Sequence, residues 1–228
     1  MKTDNIAYTD KYIEKFNESC FIFDSKYFIK GERKELSEKY YIITKIYNNN
    51  SDGGYKHASI TDIFERSGKL IYDFKNIDNE GEFCTLISHK NGNEYVLFRR
   101  DLYGHSVLNL STMEDYHYFP RESFEGQETF IWTDVHYNKL NNILAVGGCI
   151  WAHMYDIMLM NLENPMIYNA KQVSAYEKLN ADADETKYGD FDFFAWEKES
   201  LVLECEDMAT EERTKITIEE KEYLMWIK

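Results

Sequence analysis

The chain has 228 residues, 43% hydrophobic and 16% aromatic, which is enough to bury a sizeable core and excludes disorder as its overall state. Its 41 acidic side chains against 26 basic ones give a formal charge of −15, a field that repels phosphate backbones and anionic headgroups. Nucleic acid is therefore a poor default partner. No run reaches the roughly 18 to 20 apolar residues of a bilayer span, and the polar start MKTDNIAYTDKY lacks the apolar centre of a secretory signal. The expectation is a cytoplasmic protein without a membrane role, and Cys20, Cys84, Cys149 and Cys205, widely spaced and without a CxxC pair, read as inert thiols.

In chain order, the first element falls over residues 9–17, where a short amphipathic helical turn and a strand closing a ring of sheets both fit. A strand cassette then recurs four times. Its clearest markers are the apolar runs YIITKI from Tyr41, YVLFRR from Tyr95, ILAVGG from Ile143 and LVLECE from Leu201, spaced by 54, 48 and 58 residues. That spacing is about one four-stranded propeller blade. Before three of the markers stands a segment opening with Phe: FCTLISHK from Phe83, FIWTDVHY from Phe130 and FDFFAWEK from Phe191. For the first marker the equivalent strand is sought within CFIFDSKYFIK at 20–30. Tight polar turns around Asn91-Gly92-Asn93, 139–142 and 198–200 make these pairs antiparallel hairpins.

After each marker comes a third strand with alternating apolar and polar residues: SITDIF, SVLNLS, DIMLMNL and TKITIEE. A fourth is expected at LIYDF from Leu70, YHYFP from Tyr116, MIYNA from Met166 and YLMWI from Tyr223. A second short helix fits 171–179, in an insertion ending in the acidic stretch 182–185. The cassettes span about 19–75, 83–120, 130–170 and 191–228, and no linker divides them, so one domain of 1–228 is expected. The expected fold is all-β, a small β-propeller of about four four-stranded antiparallel blades; a β-sandwich of the same meanders or a five-bladed propeller is the alternative.

The segment FIWTDVHYNKLNNILAVGGCIWAHMYDIMLMNLENPM, from Phe130 to Met166, resembles a family of uncharacterised bacterial β-propeller-like, WD-repeat-like proteins. The likeness lies in its aromatic entry strand, Gly-Gly-Cys turn, Trp-Ala step and Asn-Pro exit. It implies the fold and carries no functional residue over. Register-matched Trp-Asp and Gly-His signatures of classical WD40 repeats are missing, for Gly104-His105 stands alone.

The links from second to third strand (47–58, 101–105, 149–155, 207–213) and between cassettes (75–82, 121–129, 171–190) are the long ones. In a meander both classes leave at the same end, so the long loops define one working face. Its richest stretch holds Trp132, Asp134, His136, Trp151, His153, Tyr155 and Asp156, with aromatic anchors suited to a protein partner. Trp132 and Trp151 suit packing between blades equally well.

Gly147 and Gly148 fit a bulge or close blade packing better than a phosphate cradle, because no strand-to-helix switch and no P-loop lysine follow. No catalytic set stands out: Cys149 and His153 are four apart, the other histidines lie on separate cassettes, and GxSxG and HExxH do not occur. The expected function is a non-enzymatic binding module presenting the long-loop face to a protein partner. The charge favours a basic partner, and an antitoxin-like or immunity role would fit it. No cofactor is implied. The alternative is a metal-assisted hydrolase or small-ligand binder using a central channel, with Asp134 and His136, in phase on one strand face, as metal ligands.

Overall fold

A computed structural model describes residues 4–49, 56–77, 83–167, 171–181 and 186–227. Alternation along the apolar runs produces what it predicts: strands make up 51% of the chain, arranged as four antiparallel sheets of three or four strands. The chain opens with α1 (Asp10–Ser19), capped by Thr9 Oγ1 accepting from the Tyr12 backbone N–H, and buries Tyr12 and Phe16 one turn apart. Two single 3-10 turns follow at Cys20–Phe23 and Ser25–Tyr27.

The first sheet is a meander of β1 (Phe28–Glu35), β2 (Tyr40–Asn49), β3 (Lys56–Glu65) and β4 (Leu70–Ile77). β1 begins in the expected window and runs past it. It is exposed along its whole length, and Lys30–Glu32 and Arg33–Glu35 pairs line it, charges that suit an edge strand. The second sheet is β5 (Cys84–Ser88), β6 (Glu94–Phe98), β7 (His105–Asn109) and β8 (Glu114–Tyr118), followed by one helical turn, α2 (Arg121–Phe124).

The third sheet contains β9 (Ile131–Asn138), β10 (Ile143–Cys149), β11 (Asp156–Asn161) and β12 (Val173–Ser174). The strand expected at Met166 does not form there: Met166 and Ile167 lie outside any strand, 168–170 lie outside the described residues, and the short β12 takes the fourth place. Helix α3 (Ala175–Leu179) follows. The last sheet has three strands, β13 (Tyr188–Glu197), β14 (Ser200–Asp207) and β15 (Glu212–Ile218).

Its expected fourth strand at Tyr223 is instead helix α4 (Glu220–Ile227). Glu220 and Glu222 occupy the first turn, where the helix dipole favours acids, and Tyr223, Trp226 and Ile227 fall at helical spacing on the core side. The wholly buried Tyr223 hydroxyl donates to the Glu199 carbonyl and accepts from Asn141 Nδ2 at 2.7 Å. Parts of the links 47–58 and 75–82, and the acidic stretch 182–185, also lie outside the described residues. No helix among the described residues is long and apolar enough to cross a membrane.

The chain divides into two units, Met1–Leu86 with Tyr95–Gln127, and Ile87–Glu94 with Glu128–Lys228. In the first, Ile42, Ile63 and Phe74 of one sheet interlock with Cys84, Val96, Phe98 and Leu108 of the next, and the Phe74 and Phe98 ring centroids lie 4.1 Å apart. In the second, Ile143, Ala145, Ile157 and Leu159 pack with Phe191, Leu201, Leu203, Cys205 and Tyr223. Each unit is thus built on a pair of sheets sharing one apolar core.

Polar groups buried in the first unit make its stability depend on pH. The Asp101 carboxylate accepts from the Tyr12 hydroxyl at 2.5 Å and from the Gly104 N–H at 2.6 Å. Burial still lifts its pKa to about 6, against these donors. His105 is pushed down to about 3 by burial, and His117 to about 4 by burial and then Arg100, with Asp115 opposing.

The two histidines contribute stability above the unfolded pKa of about 6.5 and lose it as pH falls towards their folded values. Asp101 works in the other direction, because its contribution is present below its unfolded pKa of about 4 and is lost as pH rises through 6. With two groups against one, this unit should lose stability on acidification from pH 6.5 to 4. Replacing His105 by Gln should flatten that slope by up to about 1.4 kcal/mol per pH unit. Urea unfolding at several pH values measures it, and an unchanged slope would contradict the assignment.

Candidate functional site

The residues singled out from the sequence all lie in the second unit, in two groups. The first is on β9 against β10. Pairing runs from Gly147 opposite Asp134 to Gly148 opposite Trp132, so Thr133 is an extra residue and the strand carries a bulge, as the Gly-Gly pair leads one to expect. The reason for both glycines is close approach. A Cβ on Gly147 would lie 2.1 Å from Asp134 Oδ1, and one on Gly148 would lie 1.9 Å from the Ile131 carbonyl oxygen.

Asp134 Oδ1 accepts from the Gly147 N–H at 3.1 Å and stands 3.5 Å from His136 Nε2. The His136 ring stacks on Phe193, with centroids 3.7 Å apart and planes at 7°. Trp132 is only 3% exposed, so its indole packs inside. Among the described residues no group of three or more His, Cys, Asp or Glu converges as a metal site, and Asp134 and His136 remain a pair.

The second group is the β10–β11 loop, residues 150–155. A turn closed by the His153 N–H on the Ile150 carbonyl at 2.9 Å, with Ala152 at φ 62°, presents the loop outward. Trp151 is 50% and Tyr155 45% exposed, and Ile150, His153 and Met154 are exposed beside them. The loop is nevertheless fastened. The Tyr155 N–H donates to Asp190 Oδ1 at 3.0 Å, and the Phe191 N–H donates to the Tyr155 carbonyl at 2.9 Å.

Arg213 on β15 donates to the Asp190 carbonyl at 2.8 Å and pairs with Asp192, which ties the start of β13 to its neighbours. Over the buried Gly189 two loops meet: a Cβ there would lie 2.9 Å from the Met154 sulfur and 3.0 Å from that of Met208, in the β14–β15 loop. Ile150, Trp151, Met154, Tyr155 and Met208 are all exposed apolar side chains.

Asp156, at the start of β11, is buried and has a structural task. Its Oδ1 accepts from the N–H groups of Ile157 at 2.7 Å and Tyr176 at 2.9 Å, and its Oδ2 accepts from Ser174 Oγ at 2.5 Å. Ser174 Oγ in turn caps α3 by accepting from the Glu177 N–H at 2.9 Å. Burial raises the Asp156 carboxyl above the usual carboxylate range, against these three donors.

Beside the loop opens a cleft of about 450 Å³ lined by Phe130, Ile150, His153, Met154, Met158, Ser174, Tyr176, Glu177 and Asp156. Cys149 is unsuited to attack, because burial pushes its thiol up, away from the thiolate a nucleophile needs. Sequence reasoning passed over Met154, Met208, Gly189 and Glu177. The signal available was one methionine in each of two loops, 150–155 and 208–211, which alternation cannot score.

The two glycines make separable predictions. Gly147→Ala and Gly148→Ala should each destabilise by about 1–3 kcal/mol through overpacking. The first meets the Asp134 side chain and the second the Ile131 carbonyl and the Phe130 ring, so Asp134→Ala should relieve much of the Gly147→Ala cost and none of the Gly148→Ala cost. A double-mutant cycle in urea reads the difference, and equal coupling at both positions would contradict the geometry. No protein-family model matches the chain, and no curated protein proves similar to it.

Proposed function

We propose that the chain is a non-enzymatic binding module that holds a protein partner on the loop face of its second unit. The observation that carries this reading is the run of exposed apolar side chains Ile150, Trp151, Met154 and Tyr155, joined by Met208, on loops fastened to β13. Large exposed aromatics held in place lose little entropy on docking, which is what an interface anchor requires. The net charge of −15 favours a basic partner and opposes nucleic acid.

In this reading the four meanders are blades of a small propeller forming one domain, and the protein works in the cytoplasm. Repetition of the same antiparallel unit supports the first point, and four free cysteines are compatible with the second. The rival reading, a metal-assisted hydrolase or channel-site ligand binder, rests on the Asp134–His136 pair alone. Binding is preferred because two ligands leave a zinc site incomplete.

The test is capture from the native lysate by tagged wild type and by a Trp151→Ala/Tyr155→Ala variant. Both side chains are exposed, so the fold should survive, and far-ultraviolet circular dichroism checks that. Loss of about tenfold or more in capture is expected, because anchors of this kind contribute ~1–2 kcal/mol each. Equal recovery of the same partner by folded variant and wild type would overturn the reading.

A further inference from the structure

The cleft beside the loop has a chemistry of its own. Its walls are aromatic and thioether surface from Phe130, Tyr176, Met154 and Met158, and its charged lining residues are the carboxylates Asp156 and Glu177. No lysine or arginine lines it among the described residues. The two acids differ in what they offer. Asp156 already accepts three hydrogen bonds within the fold, leaving one of its roughly four acceptor positions, whereas Glu177 is exposed and its backbone, not its side chain, serves the helix cap.

At about 450 Å³ the cleft is within the size range of small-ligand sites. A flat cation on an apolar stem fits such a place best. Its stem meets the methionines, which adapt to irregular shapes, its plane meets an aromatic face, and its N–H fork meets a carboxylate. An ammonium offers a strongly hydrated point charge and gains less from an aromatic wall.

We propose that this cleft receives the guanidinium of an arginine side chain presented by the basic partner, with Glu177 as the main counter-charge and Tyr176 as the aromatic wall. The inference deepens the binding reading and rests on it for the source of the arginine. The site itself does not need the partner to be tested. Asp156 is the wrong position to alter, because removing its carboxylate would strip three donors of their acceptor and disturb α3. Glu177→Gln keeps size and shape, and Glu177→Lys places a cation at the cleft wall.

The probe is N-acetylarginine amide, with N-acetylcitrulline amide as its neutral isostere, titrated into the full chain carrying carbon-13 methyl-labelled methionine. The Met154 and Met158 methyl signals report from the cleft walls, and Met→Leu variants assign them. The arginine probe should shift both signals saturably, while the citrulline probe shifts them at least several-fold less at equal concentration. Glu177→Gln should weaken the arginine probe about threefold, the effect of a partly exposed ion pair, and Glu177→Lys should abolish saturation.

Equal shifts from both probes, or undiminished affinity in Glu177→Lys, would overturn the proposal. The two readings fail separately. If the Trp151→Ala/Tyr155→Ala variant captures the partner undiminished, the binding reading falls whatever the methyl signals do. If capture depends on the loop while the methyl signals ignore the arginine probe, only the cleft proposal falls.

Discussion

The second unit depends on the place where the β10–β11 loop is clasped to the start of β13. There the Phe191 N–H bonds the Tyr155 carbonyl, the Tyr155 N–H bonds Asp190, and the wholly buried Phe191 ring enters the core shared by the two sheets. A loop of six residues with exposed Trp151, Met154 and Tyr155 would otherwise retain much of its conformational freedom, and ordering it on docking would offset the favourable burial of those side chains against a partner. The clasp moves that ordering into folding. The same backbone that closes the core therefore presents the apolar face.

Close approach does related work on the other side of β10. Gly147 and Gly148 let Asp134 and the Ile131 carbonyl lie against the strand, and the bulge at Thr133 follows from that fit. Asp134 and His136, paired at 3.5 Å with the imidazole stacked on Phe193, read as part of this packing. Asp156 is a comparable case. Its carboxylate joins β11, β12 and α3 through three hydrogen bonds, and that organisation shapes the adjoining cleft. Residues that looked functional for their chemistry thus divide into those that build the face and those that are exposed on it.

Strands were legible in the sequence in two ways: as alternation that maps onto burial, as along Ser59 to Ile63 of β3, and as short apolar runs buried on both faces, as in β6 and β10. Besides the strand expected at Met166, two places escaped for physical reasons. YLMWI is apolar at five consecutive positions, which fits a buried strand or a buried helix turn, and the deciding signal lay upstream in the acidic first turn at Glu220 and Glu222. β1 carries KGERKE and buries nothing, so no periodicity could announce it.

The candidate face was legible in part. Trp151, His153 and Tyr155 are on it, Asp156 lies in the wall of the cleft, and Trp132 is inside. Met208 and Gly189 join through contacts with Met154, 54 and 35 residues away along the chain, contacts that no local pattern encodes.

The most direct measurement of the central claim is amide hydrogen exchange on the chain alone and with its captured partner bound. The account predicts added protection concentrated in residues 149–156 and 207–212, with little change along the exposed β1 edge. Protection at β1, with exchange in those two loops unchanged, would contradict it.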